Sequence, residues 1–202
     1  MQIVEPSVEL LHCTNNPEKE IELAGRICYK SEDLITVESN ERFINMIMKS
    51  GHHSVIEHIH ASFKIICSRA CAQQITRHRL FSYSMESQRY CNYSKDKFDK
   101  SITFVNSFEE PTEFQMNMWK NACVQSEDYY FKLLNEGMNP EDARSVLNNS
   151  CKTELIMSGN IRSWLHFIDM RLTPKAQYEI RYLSTRIKKI LKNYACNVFQ
   201  TK

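Results

Sequence analysis

From Ile59 the chain alternates in its polarity. Ile59, Ala61, Phe63, Ile65 and Cys67 fall on one side, and His60, Ser62, Lys64 and Ile66 on the other. A period of two marks a strand with one buried face, and it puts His58 and His60 on the polar side. Most of the remaining pattern repeats near 3.6. Residues 17–31 predict a helix with Ile21, Ala24 and Cys28 inward, and residues 38–50 a second with Phe43, Met46 and Ile47 inward. Gly51 follows as a C-terminal cap, since glycine enters the left-handed region without a Cβ clash. Residues 111–136 predict a long helix with the stripe Phe114, Met118, Ala122, Tyr129 and Leu133, ended by Gly137. A last helix opens at Thr173-Pro174, buries Ile180, Leu183, Ile187, Ile190 and Tyr194, and leaves Lys188, Lys189 and Lys192 in water.

Shorter elements lie between. Residues 69–78 predict a helix that carries Gln74 and Arg77 three positions apart on one side. Asn139-Pro140-Glu141-Asp142 reads as a helix start: an amide N-cap, proline at the first helical position and acids in the first turn. Asn160 caps a helix on which Arg162 and His166, and then His166 and Asp169, share a face. Residues 2–11, 102–105 and 152–157 read as strands, and residues 79–94 as a loop.

Composition changes this picture little. The chain has 202 residues, 42% hydrophobic and 25% charged, with net charge +2. That is enough for one sizeable core, and residues 1–202 are expected to form a single domain. A near-neutral charge without a basic stripe argues against a nucleic-acid binding module, even with arginine and aromatic residues interleaved. The eight cysteines, the absence of a signal-peptide pattern after Met1 and the lack of a long apolar run imply free thiols, no membrane partner and a cytoplasmic setting. Cys67 and Cys71 form a lone pair without a second pair to complete a zinc site. Four of the seven histidines fall between positions 52 and 60, which invites a metal-dependent hydrolase. Their placement on a polar strand face and a loop favours ordinary surface histidines, so no metal is expected.

The chemistry concentrates in residues 77–90, Arg-His-Arg-Leu-Phe-Ser-Tyr-Ser-Met-Glu-Ser-Gln-Arg-Tyr. Arginine presents a planar fork of donors suited to phosphate and carboxylate, and serine adds neutral donors. A polar surface loop is the plain reading. The density of forked donors beside Phe81, Tyr83 and Tyr90 points instead to an anion site for a ring-bearing ligand.

Arg77-His78-Arg79, seven residues and then Ser87 is similar to the signature of the flavin-dependent thymidylate synthases. Ser82-Tyr83 and Ser87-Gln88-Arg89-Tyr90 extend the match. Met85 departs from it, standing where the family more often has Glu or Gln, and a thioether cannot replace their hydrogen bonds. Gly51-His52-His53-Ser54…Glu57-His58 resembles a second element of that family. Ala143-Arg144…Leu147, Asn160-x-Arg162…His166…Arg171 and Ala176-Gln177-Tyr178-Glu179-Ile180-Arg181 resemble three more.

The resemblance implies an α+β fold, an antiparallel sheet flanked by helices, in a homotetramer whose sites are shared between subunits. It implies conversion of dUMP to dTMP, with methylenetetrahydrofolate giving the carbon, NADPH reducing FAD, and no covalent protein nucleophile. By the same resemblance Gln74, Arg77, Met85, Glu86, Ser87, Gln88, Arg89 and Arg144 bind dUMP, Arg144 from a second subunit. His52, Ser54, Glu57, Arg77, His78, Arg79, Met85, Asn160, Arg162 and His166 bind FAD. Arg171 faces the pyrimidine as the catalytic residue.

Overall fold

The computed structural model describes residues 1–200. In chain order the elements are β1 (Gln2–Val4), β2 (Ser7–Cys13), α1 (Pro17–Tyr29), α2 (Ser39–Ser50), β3 (His60–Ser68), α3 (Arg69–Ile75) and β4 (Ser82–Met85). After them come β5 (Thr103–Val105), α4 (Glu113–Asn135), α5 (Pro140–Ala143), β6 (Lys152–Asn160), α6 (Ile161–Arg171) and α7 (Tyr178–Lys192). Single 3-10 turns sit between them, the longest at His53–His58.

Four strands form a sheet in the order β2-β3-β6-β4. The hydrogen bonds at their ends show the directions. Arg69 N–H donates to the Cys151 carbonyl, and Ile161 N–H to the Ile59 carbonyl, so β3 and β6 run antiparallel. Thr14 N–H to the His60 carbonyl does the same for β2 and β3, and Glu86 N–H to the Glu154 carbonyl extends the pairing of β4 with β6. The expected alternation along β3 holds: Ala61, Phe63, Ile65 and Cys67 are all fully buried.

The chain divides into two compact units. The first is Met1–Ser7, Ile65–Arg77 and Ser84–Leu155. Its core gathers Ile102, Phe104, Cys123, Tyr130, Ala143 and Cys151 around Tyr93. β1 pairs with β5 in parallel, Ile3 opposite Phe104. The second is Val8–Lys64, His78–Tyr83 and the chain from Ile156. There Ile21, Phe43, Ile44, Ile56, Trp164, Phe167, Ile180 and Leu183 are buried. Trp164 holds its place by donating Nε1–H to the Ala61 carbonyl at 3.1 Å and packing edge-on to Phe63. Among the described residues no helix is long and apolar enough to cross a membrane.

Several boundaries differ from the pattern, each for a physical reason. The opening strand breaks at Pro6 into β1 and β2, because proline brings no N–H to a ladder. The stretch read as a loop contains β4, whose short polar run carries no clear period. α3 ends at Ile75, so Arg77 lies in the turn beyond it. The helix begun at Pro140 lasts four residues before a 3-10 turn takes over. α7 starts at Tyr178, not at Pro174, because a turn closes first from Ala176 N–H to the Thr173 carbonyl.

Inward faces also shift. α1 buries Ile21, Glu22 and Gly25 and leaves Cys28 exposed. Glu22 can be buried because Arg26 grips it and the Ser39 hydroxyl donates to it at 2.9 Å. α2 buries Ile44 with Phe43 and Ile47, while Met46 is exposed. Gly51 closes α2 at φ 71°, as its sequence position implies. α7 buries Leu191 and ends at Lys192, and Tyr194 beyond it is exposed.

α4 departs furthest. Phe114, Met118 and Tyr129 are 73%, 55% and 56% exposed, while Cys123, Ser126 and Tyr130 are buried. Polar contacts fix that rotation. Trp119 Nε1 donates to Ser150 Oγ at 2.9 Å, and Ser126 Oγ donates to the Val146 carbonyl at 2.9 Å while accepting Asn148 N–H.

Candidate functional site

Two groups of signature residues form, one in each unit. In the second unit, α6 begins where the sequence predicts. Asn160 takes an extended conformation and its Oδ1 accepts the Ser163 N–H at 2.9 Å, satisfying one orphan donor of the first turn. The cap fixes where the helix starts. Arg162 and His166 then line one cleft of about 700 Å³ with His53, Glu57, Leu80, Asn160, Ser163, Leu165 and Asp169. Arg162 is paired with Glu57, and both are largely exposed. A forked cation, an amide and two imidazoles suit an anionic ligand, and Leu80 and Leu165 offer apolar contact to a flat ring. The residues therefore fit a flavin nucleotide. His52 is exposed, within 3.5 Å of the Tyr29 hydroxyl through Nδ1, and Ser54 is exposed on the 3-10 turn. Arg79 is exposed.

The C-terminal end of α6 carries Arg171. Its Nε donates to His78 Nε2 at 2.9 Å. A guanidinium can only donate, so that nitrogen holds a lone pair and the ring is neutral. Burial, then the charge of Arg171 and then His166 hold the His78 pKa down at about 4. The Tyr83 hydroxyl donates to the His78 carbonyl at 2.8 Å, and burial pushes that phenol up to about 12. The His78 ring packs edge-on against Phe167 at 4.8 Å.

Phe81 takes a structural place and does not stand ready for a ligand ring. Its ring meets Trp164 at 4.7 Å and Phe167 at 6.2 Å. It also covers Gly159, where an added Cβ would come within 2.5 Å of Phe81 Cδ1. Tyr90, by contrast, is exposed, with the Arg89 guanidinium 5.4 Å from its ring centre.

The first unit holds the other signature residues. Gln74 and Ser87 are half-buried, and Arg77 and Met85 are exposed. Arg89 Nε donates to Glu141 Oε2 at 2.7 Å, and Arg144 Nε donates to the Glu141 carbonyl at 2.9 Å. One chain therefore brings Arg89 and Arg144 to the same residue. Glu86 and Gln88 turn inward. The Tyr93 hydroxyl donates to Glu86 Oε1 at 2.7 Å, Lys152 Nζ lies 3.0 Å from Glu86 Oε2, and Gln88 Nε2 donates to Cys151 Sγ at 3.3 Å.

Sequence reasoning did not single out His53, Leu80, Leu165 or Asp169 as lining the cleft, nor Glu141, Tyr93 and Lys152 in the first unit. Asp169 had a signal in its helical spacing from His166, and His53 and Leu80 lie inside motifs already quoted, whereas Leu165 had none. Among the described residues no group of three or more His, Cys, Asp or Glu could hold a metal ion.

In this α+β chain one cleft is thus lined by guanidinium, amide, imidazole and carboxylate groups. The thymidylate synthase complementing protein family, Thy1, matches residues 9–195. Flavin-dependent thymidylate synthases of Geobacter sulfurreducens and Pyrococcus furiosus are 34% and 32% identical to this chain. The first match covers 96% of this chain and 85% of the relative, the second 89% and 76%. Among solved structures, a UMP/dUMP methylase of Streptomyces cacaoi, PolB, bound with 5-Br dUMP, superposes with a TM-score of 0.83 at 21% identity. That superposition covers 98% of this chain and 95% of the other. The chain belongs to the thymidylate synthase complementing protein family, that of the flavin-dependent thymidylate synthases.

Proposed function

We propose that this protein methylates dUMP to dTMP, taking the carbon from methylenetetrahydrofolate and reducing equivalents from NADPH by way of FAD. The observation that carries the reading is the Arg171–His78 hydrogen bond, which links the signature to the arginine at the end of α6. When bound, FAD supplies the hydride chemistry. The rest of the work falls to the chain's own residues. Asn160, Arg162 and His166, with His52, Ser54, Glu57, Arg77, His78, Arg79 and Met85, hold the flavin nucleotide.

Gln74, Arg77, Met85, Glu86, Ser87, Gln88, Arg89 and Arg144 make up the dUMP site. Arg89 supplies one cation for the phosphate, and Arg144 of a second subunit supplies another. The neutral His78 ring accepts from Arg171 Nε and so orients the guanidinium. That preorganised cation stabilises negative charge on N3 of the pyrimidine, which enriches C5, otherwise a weak nucleophile. Fixing dUMP against the flavin lowers the barrier further by proximity, by about 7–11 kcal/mol at most.

No protein nucleophile is needed. Burial, and Glu86 beside it, push the Cys151 thiol up to about 12, so it stays protonated and inert. We also place the protein in a homotetramer with shared sites, on the support of the exposed apolar face of α4.

The test is dTMP formation by purified protein given dUMP, methylenetetrahydrofolate and NADPH, with and without added FAD. FAD-dependent dTMP is the expected result, with no nucleotide attached to protein by mass spectrometry. No dTMP under any of these conditions overturns the reading, and a trapped adduct overturns the non-covalent mechanism. Light scattering of the purified protein tests the tetramer.

A further inference from the structure

Residues 86–90 alternate in direction. Glu86 and Gln88 turn into the first unit, while Ser87 is half-exposed and Arg89 exposed. Glu86 is held at four points. Its N–H donates to the Glu154 carbonyl at 2.8 Å, and its own carbonyl accepts from Arg69 Nη1 at 3.3 Å. Its two carboxylate oxygens meet the Tyr93 hydroxyl and the Lys152 ammonium. The carboxylate is 14% exposed and the ammonium 23%. A shielded ion pair of this kind contributes little net stability compared with apolar packing, because both charges lose water. Its effect is to fix geometry. Burial, and then Glu86, push the Tyr93 phenol up out of reach of ordinary titration, so it remains a donor. A cavity of about 150 Å³ borders Glu86, Tyr93, Lys152, Lys97 and Phe98. Without the clamp, the Glu86 side chain has room to swing there.

We propose that Tyr93 and Lys152 are positioning residues for the nucleotide: they clamp Glu86 and thereby hold the backbone that presents Ser87 and Arg89. The proposal rests on the reading of Ser87 and Arg89 as dUMP ligands. Neither Tyr93 nor Lys152 needs to touch dUMP, and a small displacement of a positioning segment is enough to weaken binding.

The test uses the full chain loaded with FAD, as wild type and as Tyr93→Phe, Lys152→Met and Lys152→Arg. Steady-state dTMP formation is measured against dUMP concentration, with flavin fluorescence quenching and a thermal melt alongside. Tyr93→Phe and Lys152→Met should each raise the KM for dUMP about tenfold, the equivalent of one charge-assisted contact. kcat at saturating dUMP and flavin affinity should stay within about twofold, and Lys152→Arg should recover most of the KM. Folded variants with wild-type KM overturn the proposal while leaving the proposed function intact. Equal losses in kcat and flavin affinity, unrescued by arginine, overturn it as well, because they indicate general damage. If Lys152→Met does not fold, Tyr93→Phe decides by the same KM criterion. A wild type that neither binds dUMP nor forms dTMP overturns the function, and this inference with it.

Discussion

Acid should dismantle the Arg171 anchor through His78. The folded imidazole has a pKa of about 4, against an ordinary 6.5, because burial and the neighbouring Arg171 and His166 oppose its charged form. As the pH falls, the unfolded chain takes up this proton first. Stability is therefore lost between about pH 6.5 and pH 4, and His78 takes no more below that, where both states carry the proton. At about 1.4 kcal/mol per pH unit the gap sets a ceiling of about 3 kcal/mol. Water reaches the half-buried ring, so about 1–2 kcal/mol should survive screening. The control is His78→Gln, whose amide oxygen can accept from Arg171 without titrating. Urea unfolding of both proteins from about pH 7.5 to about pH 4.5 should show a flatter stability curve for the variant. In the wild type, kcat/KM for dUMP should fall on the acid side with an apparent pKa below 6.5, since protonated His78 would repel the guanidinium it now orients. Equal pH slopes for the two proteins, or a His78 ring resonance that titrates near 6.5, would refute the reasoning.

Other perturbations separate the remaining roles. Arg171→Ala should lower kcat by about 10²–10³ with flavin affinity nearly kept, and Arg171→Lys should recover little, because a point ammonium lacks the planar fork. Near-normal turnover by Arg171→Ala would remove it from the chemistry. Arg162→Met should weaken flavin binding by about ten- to a hundredfold in a quenching titration. Its unfolding free energy should change by less than about 1 kcal/mol, since the Glu57 pair is exposed. Gly159→Ala drives a methyl into a Phe81 ring already fixed by Trp164 and Phe167. A loss of about 1–3 kcal/mol should appear in denaturant unfolding, and an unchanged midpoint would show that the ring can move.

How much could be read from the sequence depended on whether a residue's fate is set locally. The alternation of β3, the Asn160 cap and the Gly51 stop are decided within a few residues by pleat, side-chain acceptor and backbone freedom, and all three stand. The break at Pro6 was equally local, although the apolar run on either side masked it. The signature residues were legible as types but not as directions. Glu86 and Gln88 read as ligands alongside Ser87 and Arg89, and their side chains also have partners within the chain, Tyr93, Lys152 and Cys151, up to 66 residues further along. Spacing within the motif cannot reveal such contacts. The same limit hid Glu141, an ordinary first-turn acid of α5 until Arg89 and Arg144 meet on it.

α4 shows a different limit. A helix pattern is normally read by turning its most apolar face inward, which assumes that a chain buries only against itself. On α4 Phe114, Met118 and Tyr129 lie outward, while Trp119, Cys123, Ser126 and Tyr130 face the core. Within that face the Tyr130 ring fills the core, and Ser126 answers the Val146 carbonyl and the Asn148 N–H. The inward face thus combines apolar packing by Tyr130 and Cys123 with hydrogen-bond satisfaction by Ser126, and the outward one keeps Phe114, Met118 and Tyr129. Large apolar side chains grouped on an exposed face are a known mark of association. Phe114, Met118 and Tyr129 are therefore the residues to replace with polar ones in a light-scattering test of the proposed homotetramer. Of the expected stripe, Leu133 packs against the core, while Phe114, Met118 and Tyr129 lie on the exposed face.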